Sequence, residues 1–254
     1  MRHVNALLSR ELGAYFLSPM AFLVLLAVQV IAFFNFWELV DTLSQPQREL
    51  SSLRDPMTAY ISSSPAFWIA ILFGVPMLTM RLLAEERRSG TIETLLTLPV
   101  TETEIVVAKW LGGVLMFVML LVPFTLYLPF LYYQAKFDFD VGPLLALFTG
   151  LTTMGMMMIA IGLFMSSLTR NQIVAAIWTF VILFLMVVLV PLVYLFAARQ
   201  HMPWADGARF MALLYQIQNF SVGQLDLRYL VLHLSVCTFM LFLTVKVLET
   251  RTNR

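Results

Sequence analysis

The chain has 254 residues, of which 60% are hydrophobic and 12% charged, whereas a soluble globular domain carries about 25% charge. That balance excludes an ordinary soluble domain and points to a chain solvated by lipid. A formal net charge of +1, with no concentrated basic face, gives no footing for nucleic acid.

The first stretch, VNALLSRELGAYFLSP, places Val4, Leu7, Leu8, Leu12, Tyr15 and Phe16 close to one helical face, with Arg10 and Glu11 off it. This is the pattern of an interfacial helix lying among lipid headgroups. Pro19 then turns the chain toward the bilayer, and the charge-free run 12–37 holds 26 residues. A hydrocarbon core of about 30 Å needs about 20 helical residues, so the run crosses once. It continues past Phe36 without a small-residue cleavage site, so the first span is expected to stay attached and no cleavable signal peptide is read.

The polar stretch 38–60 reads as an outer connection. SSSP, ending at Pro65, reads as a helix start: Ser64 can accept from the free amides of the first turn, and proline suits the first helical position. The charge-free run 56–80, 25 residues, supplies the second span.

Next comes RLLAEERRSGTIETLLTLPVTETEI, Arg81 to Ile105, with eight charged residues between two apolar runs. Leu82 to Arg88 is expected to continue the second helix, and Gly90 to end it in a left-handed cap. A short helix, Thr91 to Leu98, follows, with Ile92, Leu95 and Leu96 on one side, Glu93 and Thr97 turned elsewhere, and Pro99 closing it. Thr101 and Glu104 stand at capping-box spacing and start the third membrane helix. Local chemistry leaves two readings open: an ordinary solvated loop, or a surface-parallel helix through which another protein acts.

Charge-free runs 110–135, 141–169, 171–198 and 229–245, of 26, 29, 28 and 17 residues, complete a set of six. GLTTMGMMMIAIGLFMSS places Thr152, Gly155, Gly162 and Ser166 near one face of the fourth helix, which permits close approach of a neighbouring backbone. Pro76, Pro123, Pro129 and Pro191 lie inside apolar runs, where each removes a backbone hydrogen bond and invites a kink. SSLTRNQ is a tight turn between spans four and five. The segment 199–228 is amphipathic and is expected to lie on, or dip into, the outer surface. The single cysteine, Cys237, sits in the sixth run as a small apolar residue and offers no disulfide.

The expected fold is all-α: one domain over 1–254, a polytopic membrane protein with six transmembrane helices at roughly 18–38, 63–82, 103–133, 143–168, 171–197 and 229–248. If the spans alternate sides, ten basic residues share the side of the N-terminus and six lie opposite, which places both termini in the cytoplasm.

An enzyme or ion-coupled transporter of this type needs ionisable groups inside its spans, and the runs contain essentially none. His233 is near the start of the sixth span, His3 and His201 lie outside, and no metal-ligand spacing occurs. No GxxxxGK[ST] phosphate loop is present, so a nucleotide, where one is involved, is bound by another chain.

EERRSGTIETLLTLPVTETEIVVAKWLGG, between two membrane helices, resembles the first cytoplasmic loop of ABC-2 type transporter permeases, and most of all that of the gliding-motility-associated group. NFSVGQLDLRYLVLHLSVCTFMLFLTVKVLETR resembles the end of those permeases, where an outer segment with a G-x-[IL]-D-x-R core leads into the last span. The resemblance implies a cytoplasmic coupling helix that docks on a separate P-loop ATPase subunit, with Glu86, Arg87, Gly90, Thr91, Ile92 and Glu93 as the contacts. It implies a second permease, identical or related, ATP and magnesium on the ATPase partner rather than on this chain, and residence in a bacterial inner membrane. A charge-free, Met- and Phe-rich interior suits an amphiphilic or apolar cargo better than an ion. The competing reading is a non-transporting assembly or anchoring module whose loop recruits a partner.

Overall fold

The computed structural model describes residues 2–44, 64–91, 100–135 and 141–252. Among these residues every regular element is helical: α1 (Arg2–Phe16), α2 (Pro19–Ser44), α3 (Pro65–Thr79), α4 (Ala84–Ser89), α5 (Glu102–Ala135) and α6 (Val141–Leu168) come first. They are followed by α7 (Gln172–Phe184), a π-helical turn (Leu185–Leu189), α8 (Val190–Arg199), α9 (Ala205–Met211), α10 (Leu213–Ser221) and α11 (Leu227–Thr252). Six helical stretches are long and apolar enough to cross a membrane: Ala21–Glu38, Pro65–Ser89, Glu102–Pro123, Gly142–Leu168, Gln172–Arg199 and Leu227–Thr250. The protein is an all-α, multi-pass membrane protein, and its six spans follow the charge-free runs of the sequence.

The fourth span, α6, is the hub. Leu147, Leu151, Met154, Met157, Met158, Ile159 and Leu163 are buried along it, and three glycines let neighbours reach its backbone. A Cβ built on Gly150 would fall 2.3 Å from the Phe220 ring, one on Gly155 2.1 Å from the Phe117 ring, and one on Gly162 2.2 Å from Thr79 Oγ1. The small-residue face expected from the sequence is therefore a packing face toward α5 and α3, through Gly155 and Gly162, and Gly150, outside that face, adds a close approach to α10. Spans one, five and six instead expose large apolar side chains, among them Phe22, Phe33, Trp178, Phe196 and Phe239, which suits lipid as their solvent.

Local chemistry sets most boundaries. α1 ends at Phe16 and α2 opens on Pro19, so the proline turns the chain as the sequence suggests. Asn171 caps α7 by accepting from Ile173 N at 2.9 Å. Thr101 and Glu104 form the expected reciprocal box, Thr101 N donating to Glu104 Oε2 at 3.1 Å and Glu104 N to Thr101 Oγ1 at 3.3 Å. At the head of α3 Pro65 takes the first helical position, but the Ser64 hydroxyl is buried and makes no cap bond, which corrects that detail. In span five Val190 N bonds Leu185 O, five residues back, and Pro191 follows directly. The widened turn accommodates a residue that lacks an amide and crowds the carbonyl four residues earlier. α5 runs through Pro123 and Pro129.

On the opposite side from α1, α9 and α10 fold the segment after span five back onto the bundle. Leu213, Gln216, Ile217 and Phe220 are buried there, so the amphipathic stretch dips into the protein rather than lying on it.

Candidate functional site

The site begins with a break in span two. The sequence favours an unbroken helix through Leu82 and Arg88, yet α3 stops at Thr79 and α4 starts at Ala84. The cause is tertiary. Ser166, on span four, accepts from Leu83 N at 3.1 Å and Ala84 N at 3.0 Å, and donates to Met80 O at 3.1 Å. A hydroxyl has one donor and two acceptor positions, and all three are occupied by the break. One turn away Gly162 admits Thr79 against the same helix. A serine and a glycine of span four thus replace helix continuation with a corner.

α4 carries Glu85 and Glu86 in its first turn and Arg87 and Arg88 in its last, the arrangement that suits the helix dipole. Gly90 follows at φ 75°, the left-handed cap expected of it. Arg81, inside the corner, pairs with Glu85 at 2.7 Å and donates to Ser18 Oγ.

α1 packs along this corner and along span three. Its buried seam is Leu7, Glu11 and Tyr15, spaced by four, so Glu11 lies at the centre of the packed face and not off it, a correction to the amphipathic reading. The reason is a partner: Lys109 of α5, whose side chain is 3% exposed, places Nζ 2.9 Å from Glu11 Oε1 and 2.9 Å from Glu86 Oε1. Arg10 Nη2 lies 3.0 Å from each of the same two oxygens. Four atoms of alternating charge form a closed square, in which each cation touches both carboxylates. The square joins three segments: α1, α4 and span three.

Two further contacts seat α1. Tyr15 Oη donates to Leu78 O at 2.8 Å, and burial, then the charge of Glu11, push its phenol above the ordinary range against the opposing effect of Arg81. Gly112 of α5 allows the close approach, since a Cβ there would meet the Glu11 Cβ at 3.3 Å.

The residues named from the sequence divide into inner and outer sets. Glu86 belongs to the square and Arg87 is 7% exposed, so both face the bundle. Gly90 and Thr91 are exposed, together with Arg88 and Ser89. Ile92, Glu93 and the expected helix Thr91 to Leu98 beyond its first residue lie outside the described residues. Sequence reasoning missed Arg10, Glu11, Lys109 and Ser166 as parts of this site. The spacing Leu7, Glu11, Tyr15 was the available signal for one of them.

A second polar cluster is buried on the opposite side. His233 Nε2 lies 2.8 Å from Gln216 Oε1, His233 Nδ1 lies 3.2 Å from Thr153 Oγ1, and Gln216 Nε2 donates to Phe210 O at 2.7 Å. With Gln216 Nε2 engaged by Phe210, its oxygen accepts from His233 Nε2, while the Thr153 hydroxyl beside Nδ1 also lies 3.0 Å from the Thr149 and Gly150 carbonyls, to which it can donate its one hydrogen. The cluster ties α10 to spans four and six.

The family model described as ABC-2 family transporter protein matches residues 20–222, most of the chain. No curated protein matches it.

Proposed function

The chain belongs to the ABC-2 family of transporter proteins, and from that premise we propose that this membrane permease component serves an ATP-driven exporter whose ATP and magnesium are bound by a separate P-loop ATPase subunit. The observation that carries the proposal is the exposed Arg88–Thr91 turn, capped by Gly90 and presented between spans two and three on a short helix that the bundle holds firmly.

The turn leads into the segment that contains Ile92 and Glu93, which we assign to ATPase docking with Gly90 and Thr91. Glu86 and Arg87 support the docking element from inside. Closure of the ATPase pair on ATP would push the docking segment. The push would enter span two through α4 and its Ser166-held corner, and span three through the Thr101–Glu104 box. A second permease, identical or related, completes the path. The positive-charge bias supports placing both termini in the cytoplasm, and the loop and terminal motifs favour the gliding-motility-associated group and, with it, a bacterial inner membrane. An amphiphilic or apolar cargo fits the charge-poor spans.

The test is affinity purification of the tagged chain from its native membrane, with ATP hydrolysis measured on what accompanies it. An ATPase in equal amount, whose stimulation by the chain is lost in Gly90→Pro and Glu93→Lys while the spans stay folded, supports the reading. A partner that ignores nucleotide, or unchanged stimulation in both variants, returns the loop to a recruiting role in assembly or anchoring.

A further inference from the structure

We propose that Lys109 is a positioning residue: it registers α4, and with it the docking turn, against α1 and span three, so that a push on the turn moves the interfacial helix as well as the spans. The inference rests on the exporter reading above and adds a second arm to it, the N-terminal helix.

The square of charges is built for registration more than for adhesion. α1 already has an apolar seat on span three, where Leu7 packs with Ile105 and Ala108, and a glycine admits it closely at Gly112. α4 is already held by Ser166. Neither contact links α1 to α4. The square does, through Arg10 and Lys109 on the two oxygens Glu11 Oε1 and Glu86 Oε1, all four sides measuring 2.9 to 3.0 Å. Burying an ion pair adds little net stability because desolvation opposes the attraction, whereas separating one while it stays buried is strongly unfavourable. Such a joint therefore resists relative displacement of its members more than it favours their assembly. Lys109 is the member that cannot turn outward, at 3% side-chain exposure against 49% for Arg10. By comparison Arg81–Glu85 joins residues of one corner, and Arg81 carries that pair only to Ser18, in the turn between α1 and α2, not to α1 itself or to span three.

The experiment uses the complex as purified with its co-purifying ATPase, in nanodiscs, with and without trapping by ATP and vanadate. Hydrogen exchange is followed by mass spectrometry over 2–16. In the wild type, trapping changes α1 exchange at least twofold. In Lys109→Met the ATPase remains bound in equal amount while the α1 response disappears, and Lys109→Arg restores at least half of it. A purely architectural lysine would instead raise α1 exchange equally with and without nucleotide, and that result overturns the proposal. So does an α1 that responds alike in wild type and Lys109→Met, or one that never responds. Should Lys109→Met fail to fold, Glu86→Gln, which keeps the shape of the square and removes only the one charge that α4 contributes to it, decides by the same comparison. Absence of any ATPase from the wild-type preparation sinks the exporter reading first and this arm with it. A bound, active ATPase with a silent α1 sinks the arm alone.

Discussion

Thr79 fills the space that a side chain on Gly162 would need, its Oγ1 lying 2.2 Å from where the Cβ would be. The Thr79 hydroxyl also donates to Val75 O at 2.9 Å, inside its own helix. The contact between spans two and four is therefore backbone against a fully buried, internally satisfied side chain.

Gly162→Ala forces Thr79 and the adjoining corner away and is expected to destabilise by about 1–3 kcal/mol, the usual cost of overpacking. Gly155→Ala meets the Phe117 ring at 2.1 Å and should cost as much or more, because a buried ring has no flexible end to withdraw. Gly13→Ala, where nothing lies within 4 Å, is the control. Thermal unfolding in detergent ranks the three, and equal midpoints for all would refute the packing argument.

Ser166→Ala removes one acceptor shared by two amides and one donor to a carbonyl. Leaving such groups buried and unmet costs about 1–3 kcal/mol. The loss should be local: exchange at the amides of Leu83 and Ala84 rises well before global unfolding. Should those two amides stay protected, the corner is held by something other than this hydroxyl.

Gly90 sits at φ 75° with open space around its Cβ position, so substitution there meets a backbone penalty and no steric clash. Gly90→Asn is expected to keep its activity, since asparagine tolerates the left-handed region, whereas Gly90→Val incurs about 1–2 kcal/mol and loses ATPase stimulation. Stimulation of purified ATPase by reconstituted chain distinguishes them. Equal activity of the two variants would show that the left-handed cap is dispensable.

Tyr15 supplies a pH signature. Its folded phenol keeps its proton above the ordinary value, whereas the unfolded chain releases it near about pH 10. The contribution is therefore complete below about pH 10 and declines as pH rises beyond it. Wild type should unfold at a higher temperature than Tyr15→Phe at pH 8, by a hydrogen bond worth about 1 kcal/mol, and the gap should narrow by pH 11. A gap independent of pH would falsify the assignment of Tyr15 as a neutral donor to Leu78.

The six spans were legible because bilayer thickness imposes a length and excludes charge. The Gly90 cap and the Thr101–Glu104 box were legible because each is closed within a few residues. What escaped was set by distant partners. Leu82 and Leu83 favour helix, and only Ser166, far along the chain, explains the corner. Glu11 sits four residues from both Leu7 and Tyr15, but a carboxylate on an apolar seam reads as misplaced until Lys109 is found opposite. Lys109 itself looked like the border of a charge-free run, when it is the inner member of an ion cluster.

Two guanidinium or ammonium charges and two carboxylates cancel. The square that joins α1, α4 and span three thus carries no net charge, and a transmembrane voltage, which acts on an unbalanced charge with about 2.3 kcal/mol per 100 mV, exerts no net force on those four groups taken together.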